Sequence, residues 1–172
     1  YQLGGKLKTI DNSILRNDII TALRYQEGKG LWVGTRSSGL YLYNPNGQLK
    51  RYEDNGILSA QGSITTIFTN HQNKLVVGIN KGLISIEDNK TNSIDIKEST
   101  PNCICDIGID SLLVSTNEGF YLIRNSIATL WKPNSTLNDI TVQTMISRGN
   151  NLYIGTTEKG IIVYNLQTND AL

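Results

Sequence analysis

Apolar residues along the chain come in short runs, each closed off by a cluster of Asn, Asp, Gly, Ser or Lys, and the clusters and runs recur together. Four segments align, Ile20 to Tyr43, Ile64 to Ile86, Ile104 to Ile123 and Val142 to Tyr164, each reading apolar run, polar turn, apolar run, glycine turn, apolar run. The second run is Leu31-Trp32-Val33-Gly34, then Leu75-Val76-Val77-Gly78, Leu112-Leu113-Val114-Ser115 and Leu152-Tyr153-Ile154-Gly155. Its anchor positions, 34, 78, 115 and 155, lie 44, 37 and 40 residues apart. A second glycine follows each anchor, at Gly39, Gly82, Gly119 and Gly160, and opens the third run. A turn-rich stretch then leads to a weak fourth run: Leu49 to Tyr52, Ile94 to Ile96 and Ile127 to Leu130 in the first three units.

Runs this short and this rich in Ile, Val and Tyr are strands, and the helical repeats of similar period would need apolar residues at i, i+3 and i+4. Four strands per roughly 40 residues is the blade of a β-propeller. The expected fold is all-β: β-propeller blades of four antiparallel strands, about four blades, in a fragment of a larger propeller. Residues 1–16 would supply the outer strand of a preceding blade (Lys6 to Ile10), with blade 1 at 17–62, blade 2 at 63–102, blade 3 at 103–140 and blade 4 at 141–172. Inner strands are expected near Ile20 to Arg24, Ile64 to Phe68, Ile104 to Ile107 and Val142 to Ile146.

The pattern Asn17-Asp18-Ile19-Ile20-Thr21-Ala22-Leu23, a polar turn, Leu31-Trp32-Val33-Gly34-Thr35 and Gly39-Leu40-Tyr41-Leu42-Tyr43 resembles the two-component regulator propeller repeat. The last unit repeats it as Leu152-Tyr153-Ile154-Gly155-Thr156 and Gly160-Ile161-Ile162-Val163-Tyr164. Units two and three depart from it: Ile79 follows the anchor glycine, Ser115 replaces that glycine, and neither has an aromatic at the Trp32 position. The resemblance implies an extracytoplasmic, periplasmic part of a bacterial sensor such as a hybrid histidine kinase, responding to polysaccharide fragments. An oligosaccharide is the ligand it implies.

Charge changes the picture by exclusion. With 16 Lys+Arg against 15 Asp+Glu and no basic stripe, nucleic acid is not an expected partner. No run approaches the roughly 18 apolar residues of a membrane helix, and the chain opens without the basic-then-apolar layout of a signal peptide. The expectation is a soluble piece with no membrane segment, already separated from any targeting signal or anchor.

Candidate chemistry is sparse. The one histidine, His71, falls in the polar stretch Asn70-His71-Gln72-Asn73 and is expected in an exposed turn, so no histidine pair, zinc site or Ser-His-Asp triad can form within one chain. Cys103 and Cys105 flank Ile104, which aligns with Ile64, and are expected as small packed residues of an inner strand in place of Ser63 and Thr65. Trp32, in mid-strand, is expected in the core. Trp131 lies past the last apolar strand of unit three, where it would serve either as a ligand platform or as a plug between blades. No metal, no cofactor and no catalytic residue is expected, and a lyase, which would use histidine and carboxylates over a divalent metal, is disfavoured by the single histidine.

In propellers the loops between second and third strands share one rim with the connections between blades. Here they supply Arg36, Asn80, Lys81, Asn117, Glu118, Glu158 and Lys159, and the connections at 53–62, 98–102 and 131–141 add Trp131. These are side chains suited to a polar or glycan ligand. The leading expectation is a non-catalytic sensor or recognition domain, and the alternative is a protein-interaction scaffold without a small-molecule ligand. A partial ring would leave its end faces open, on residues such as Leu23, Val33, Ile154 and Val163, so self-association through the end blades is expected unless four blades close on themselves.

Overall fold

A computed structural model of the chain describes residues 9–10, 13–53, 58, 62–88 and 90–171. Among these, strands form four separate antiparallel sheets of four strands, each ordered as it comes in sequence. Blade 1 holds β1 (Ile20–Gln26), β2 (Gly30–Thr35), β3 (Leu40–Tyr43) and β4 (Leu49–Arg51). Blade 2 holds β5 (Ile64–Thr69), β6 (Leu75–Ile79), β7 (Gly82–Glu87) and β8 (Lys90–Ile94). Blade 3 holds β9 (Pro101–Gly108), β10 (Ser111–Thr116), β11 (Gly119–Arg124) and β12 (Ile127–Trp131), and blade 4 holds β13 (Val142–Arg148), β14 (Asn151–Thr156), β15 (Ile161–Asn165) and β16 (Asp170–Ala171). The all-β propeller-blade reading of the sequence is what the fold displays. One helical turn at Ser13–Arg16 and a 3-10 turn at Ser135–Leu137 are the helical elements among the described residues.

The inner strands β1, β5, β9 and β13 neighbour one another in order, so the blades fan out from a common axis. Apolar clusters fill the gaps between sheets. Trp32 and Leu40 of blade 1 meet Ile64, Ile67, Leu75 and Val77 of blade 2. Val76 and Leu83 meet Ile104, Leu112 and Tyr121 across the next gap, and Leu113 and Phe120 meet Met145, Leu152, Ile154 and Tyr164 across the third. Both sides of a middle strand are thus buried, which is why β6 reads as a continuous apolar run with every residue buried.

The anchor glycines have a steric cause. Each inner strand carries a register shift near its start, and the residue just past it pairs with the anchor: Ala22 with Gly34, Thr66 with Gly78, Thr144 with Gly155. A Cβ at Gly34 would meet Ile64 Cγ2 at 2.6 Å, one at Gly78 would meet Thr65 Oγ1 at 2.7 Å, and one at Gly155 would meet Thr144 Cγ2 at 2.9 Å. Blade 3 tolerates Ser115 because its partner is Cys103, whose sulfur lies 3.2 Å from the Ser115 hydroxyl. In the turns, Gly39 and Gly160 adopt φ of 87° and 68°, a region that a side chain resists.

Several expectations shift. The leading strand expected over Lys6 to Ile10 lies outside the described residues except for Thr9 and Ile10, which are not in a strand, and Ser13–Arg16 beyond it forms one helical turn. The inner strand of blade 3 starts at Pro101, ahead of the expected Ile104, because a strand's first residue can lack an N–H donor. Ile104 pairs with Val114 as Ile67 pairs with Val77, so Cys103 and Cys105 are equivalent to Thr66 and Phe68, not to Ser63 and Thr65. The outer strand of blade 2 is Lys90–Ile94 and not Ile94 to Ile96: Glu87 pairs with Lys90, and Asp88 after the third strand adopts φ of 49°.

The open faces are also composed differently. Leu23 is exposed and Val163 half-buried, but Val33 and Ile154 are buried. Ile154 points back into blade 3, and the open side of blade 4 carries Ile146, Tyr153 and Ile161 instead. Along a strand, parity decides which neighbour a side chain faces.

Candidate functional site

One rim of the arc is stitched together by its loops. Arg36 N–H donates to the Ile19 carbonyl, Asn117 N–H to the Thr100 carbonyl and Thr157 N–H to the Thr141 carbonyl, so in blades 1, 3 and 4 the loop between second and third strands is tied to the connection leading into its own blade. Asn117 Oδ1 in turn accepts from Thr100 N–H at 2.7 Å, and the Thr100 hydroxyl donates to the Asn80 carbonyl of the preceding blade. Asp18 accepts from Ile19 and Ser37 N–H; hydrogen bonds from Ser38, Ile19 and Ser37 outweigh the upward push of desolvation and hold its carboxyl down to about 2. The hydroxyl of Thr157, with help from Thr141, holds Glu158 below the usual carboxylate range.

Between blades 3 and 4 this rim opens into a groove of about 860 Å³. Asn117, Glu118 and Trp131 line it together, joined by Lys132, Asn138, Asp139 and Thr141 from the connection into blade 4. That connection is held in shape by a 3-10 turn, capped by the Asn134 side chain accepting from Thr136 N–H and pinned by buried Leu137. Asp139 adopts φ of 55°, a conformation that Asp and Asn tolerate better than most residues.

Trp131 is the last residue of β12, paired with Phe120, and not a loop residue beyond the sheet. Its ring stands edge to face against Phe120 at 5.6 Å and Tyr164 at 5.7 Å, wedged half-buried between blades 3 and 4. The Tyr164 hydroxyl, donating to Asn169 Oδ1 at 2.6 Å and accepting from Asn134 N–H, fixes the other side of the wedge. Trp131 therefore acts as a plug while still contributing to the wall of the groove.

The remaining rim residues are not gathered there. Lys81 lines a separate depression of about 290 Å³ on blade 2 with Ile79, Leu83 and Ile96, and Asn80 is engaged through its carbonyl. Arg36, Glu158 and Lys159 sit exposed on the loops of blades 1 and 4. The sequence had marked residues 131–141 as a rim connection, but Lys132, Asn138 and Asp139 could not be singled out, because only the 3-10 turn decides which of them face the groove.

The opposite rim carries the single histidine. His71 is exposed in a turn, its Nε2 3.5 Å from Asp106 Oδ2. Burial pushes the Asp106 carboxyl up, against the pull of His71 and Arg24 nearby. Burial pushes both thiols up as well, Cys105 to about 12, so neither is a thiolate at neutral pH. Among the described residues no group of three or more His, Cys, Asp or Glu is placed to hold a metal ion. No described helix is long and apolar enough to cross a membrane.

This is a β-propeller arc with a polar groove on one rim. No protein-family model matches the chain, and no curated protein does. Solved structures do. The extracellular domain of a putative hybrid two-component system, BT4673 of B. thetaiotaomicron, superposes at a TM-score of 0.71 with 20% identity, over 89% of this chain and 22% of that one. PorZ, a surface component of the type-IX secretion system of Porphyromonas gingivalis, gives 0.70 at 11% identity, over 89% and 22%. The WD40 β-propeller domain of Doa1 gives 0.67 at 13% identity, over 88% of this chain and 52% of that one. At these identities the likeness is one of fold, and the chain spans about a fifth of the length of the first two.

Proposed function

We propose that the chain is a non-catalytic recognition domain of an extracytoplasmic bacterial sensor of the two-component type, and that its ligand is an oligosaccharide held in the groove between blades 3 and 4. The observation that carries this reading is the set of residues on that groove: amides from Asn117 and Asn138, carboxylates from Glu118 and Asp139, an ammonium from Lys132 and the half-buried aromatic Trp131. Sugars offer hydroxyls, which pair with amides and carboxylates, and C–H faces, which pack on aromatic rings. The fold shared with the extracellular domain of the two-component protein supports the setting.

Isothermal titration with a panel of neutral and acidic oligosaccharides tests it. Saturable heat is expected from at least one class, with Asn117→Ala and Asn138→Ala each weakening binding about tenfold or more, the loss of one good buried hydrogen bond. No heat from any member would remove the ligand reading and leave the interaction scaffold.

A further inference from the structure

The gap between blades 2 and 3 departs from its neighbours at one position. On the third strand of the other blades, the residue paired with the second member of the anchor run is apolar: Leu42 opposite Trp32, Leu122 opposite Leu113 and Val163 opposite Tyr153. Blade 2 places Ser85 there, opposite Val76. Directly paired residues share a face of the sheet, so Ser85 looks with Val76 into the gap between blades 2 and 3. In the first gap the corresponding Leu42 packs against the cluster around Trp32. A serine in that place is both smaller and polar.

Both consequences are visible. A cavity of about 130 Å³ lies beside Ser85, walled by the buried side chains of Val76, Ile94, Leu112 and Ile123. Ser85 is 0% exposed, and its hydroxyl has no hydrogen-bond partner among the described residues. A buried hydroxyl costs stability unless something bonds it, and Ser85 lines a space where its counterparts are apolar. The cavity opens on the rim opposite the groove, between the turn at Asn70 to Lys74 of blade 2 and Asp110 of blade 3. There Gln72 Nε2 donates to Asp110 Oδ1 at 2.7 Å, and Lys74 Nζ lies 3.1 Å from Glu87 Oε2. The charged residues of the lining, Lys74 and Asp110, are thus opposite in sign and each already engaged, which favours an uncharged guest.

We propose that this cavity is a binding site for a small uncharged alcohol or phenol, its hydroxyl bonded to Ser85 Oγ and its hydrocarbon body against Val76, Ile94, Leu112 and Ile123. An apolar cavity of about 150 Å³ accepts benzene in another protein, and a space of similar size limits the guest to about six or seven non-hydrogen atoms. The site lies on the other rim and between other blades than the groove, and it does not rest on the oligosaccharide reading. A sugar, with a hydroxyl on nearly every carbon, would meet one polar partner among these four apolar walls.

Amide chemical shifts of the nitrogen-15-labelled chain, titrated with phenol, cyclohexanol and benzene, test the proposal. Saturable shifts are expected at Val76, Ser85, Leu112 and Ile123, with dissociation constants for phenol and cyclohexanol on the order of a millimolar, within what about seven atoms can supply. Ser85→Leu, which restores the residue type of blades 1 and 3, should fill the space and abolish saturation by all three, with the circular dichroism spectrum retained and the urea midpoint equal or higher. If Ser85→Leu does not fold, Ser85→Val replaces it. Ser85→Ala keeps the room and removes the hydroxyl, so phenol should bind about fivefold more weakly, the loss of one neutral hydrogen bond, while benzene is not weakened. Shifts that do not saturate with phenol or cyclohexanol up to about twenty times the expected constant, shifts that persist in Ser85→Leu, or a phenol affinity unchanged in Ser85→Ala would each overturn the proposal.

Discussion

Trp32 is the strongest single test of how the first two blades hold together. It is 4% exposed, its ring stands edge to face with Tyr52 at 5.5 Å, and it packs in the cluster with Ile64, Leu75 and Ile86. Its indole N–H donates to Gln26 Oε1 at 2.7 Å, and Gln26 Nε2 donates onward to the Asn73 carbonyl at 2.6 Å, so the tryptophan also orients a buried amide that bridges blade 1 to blade 2. Trp32→Ala removes most of a buried aromatic side chain, a change of about 3–5 kcal/mol in well-packed cores. It also leaves Gln26 Oε1 without a donor, worth about 1–3 kcal/mol where no water replaces it. Trp32→Phe keeps much of the packing and loses the donor, so its expected cost is only about 1–3 kcal/mol. In the Gln26→Leu background the extra cost of Trp32→Phe should shrink, since the acceptor is already gone. Urea unfolding followed by circular dichroism measures all of these. A midpoint unmoved by Trp32→Ala would refute the packing argument, and a Trp32→Phe loss equal in both backgrounds would refute the bridging role of Gln26.

Gly34→Ala should destabilise by about 1–3 kcal/mol, as overpacking does, because the added Cβ meets Ile64 Cγ2 at 2.6 Å; Gly108→Ala, whose Cβ would meet nothing closer than Ser111 Cβ at 3.8 Å, should cost less, and comparing their urea midpoints tests the steric account. Asp18 has a folded-state value of about 2, below the ordinary carboxylate, so its contribution is present at neutral pH and fades as pH falls through that value. The group is exposed to screening, so Asp18→Asn should flatten only the lowest part of the acid-unfolding curve, and an unchanged curve would refute the hydrogen-bond assignment. Cys105, raised to about 12 and buried, should resist a thiol reagent at pH 8 until the protein unfolds; rapid labelling in the folded state, read by mass, would show that blade 3 opens locally.

The strand order of each blade was legible because both faces of the middle strands are buried, which turns them into unbroken apolar runs such as Leu75 to Ile79. What escaped the sequence were features set by pairing rather than by composition. Pro101 looks like a loop residue until the register places it opposite Thr116. The Lys90–Ile94 strand is polar because it is an outer edge, and its turn at Asp88 was hidden among several residues that all favour turns. Ile154 and Tyr153 are adjacent and similarly apolar, and only the sheet's position between its neighbours decides that one looks inward and the other out. For the groove, the sequence supplied Asn117, Glu118 and Trp131 through the repeat, but the residues facing them from 132–141 depend on a 3-10 turn that is not repeated among the described residues.

Among the described residues every backbone ladder is confined to a single sheet, and what joins one sheet to the next is side-chain packing with a few side-chain clasps such as Arg24 on Thr69. A unit of this kind can be duplicated or lost in a gene without breaking any ladder in the units that remain. The spacings of 44, 37 and 40 residues fit such a history, since length differences collect in turns while the paired positions keep step. Loops on the rim are then free to diverge copy by copy, so one scaffold can acquire a groove between its third and fourth units without reshaping the first and second.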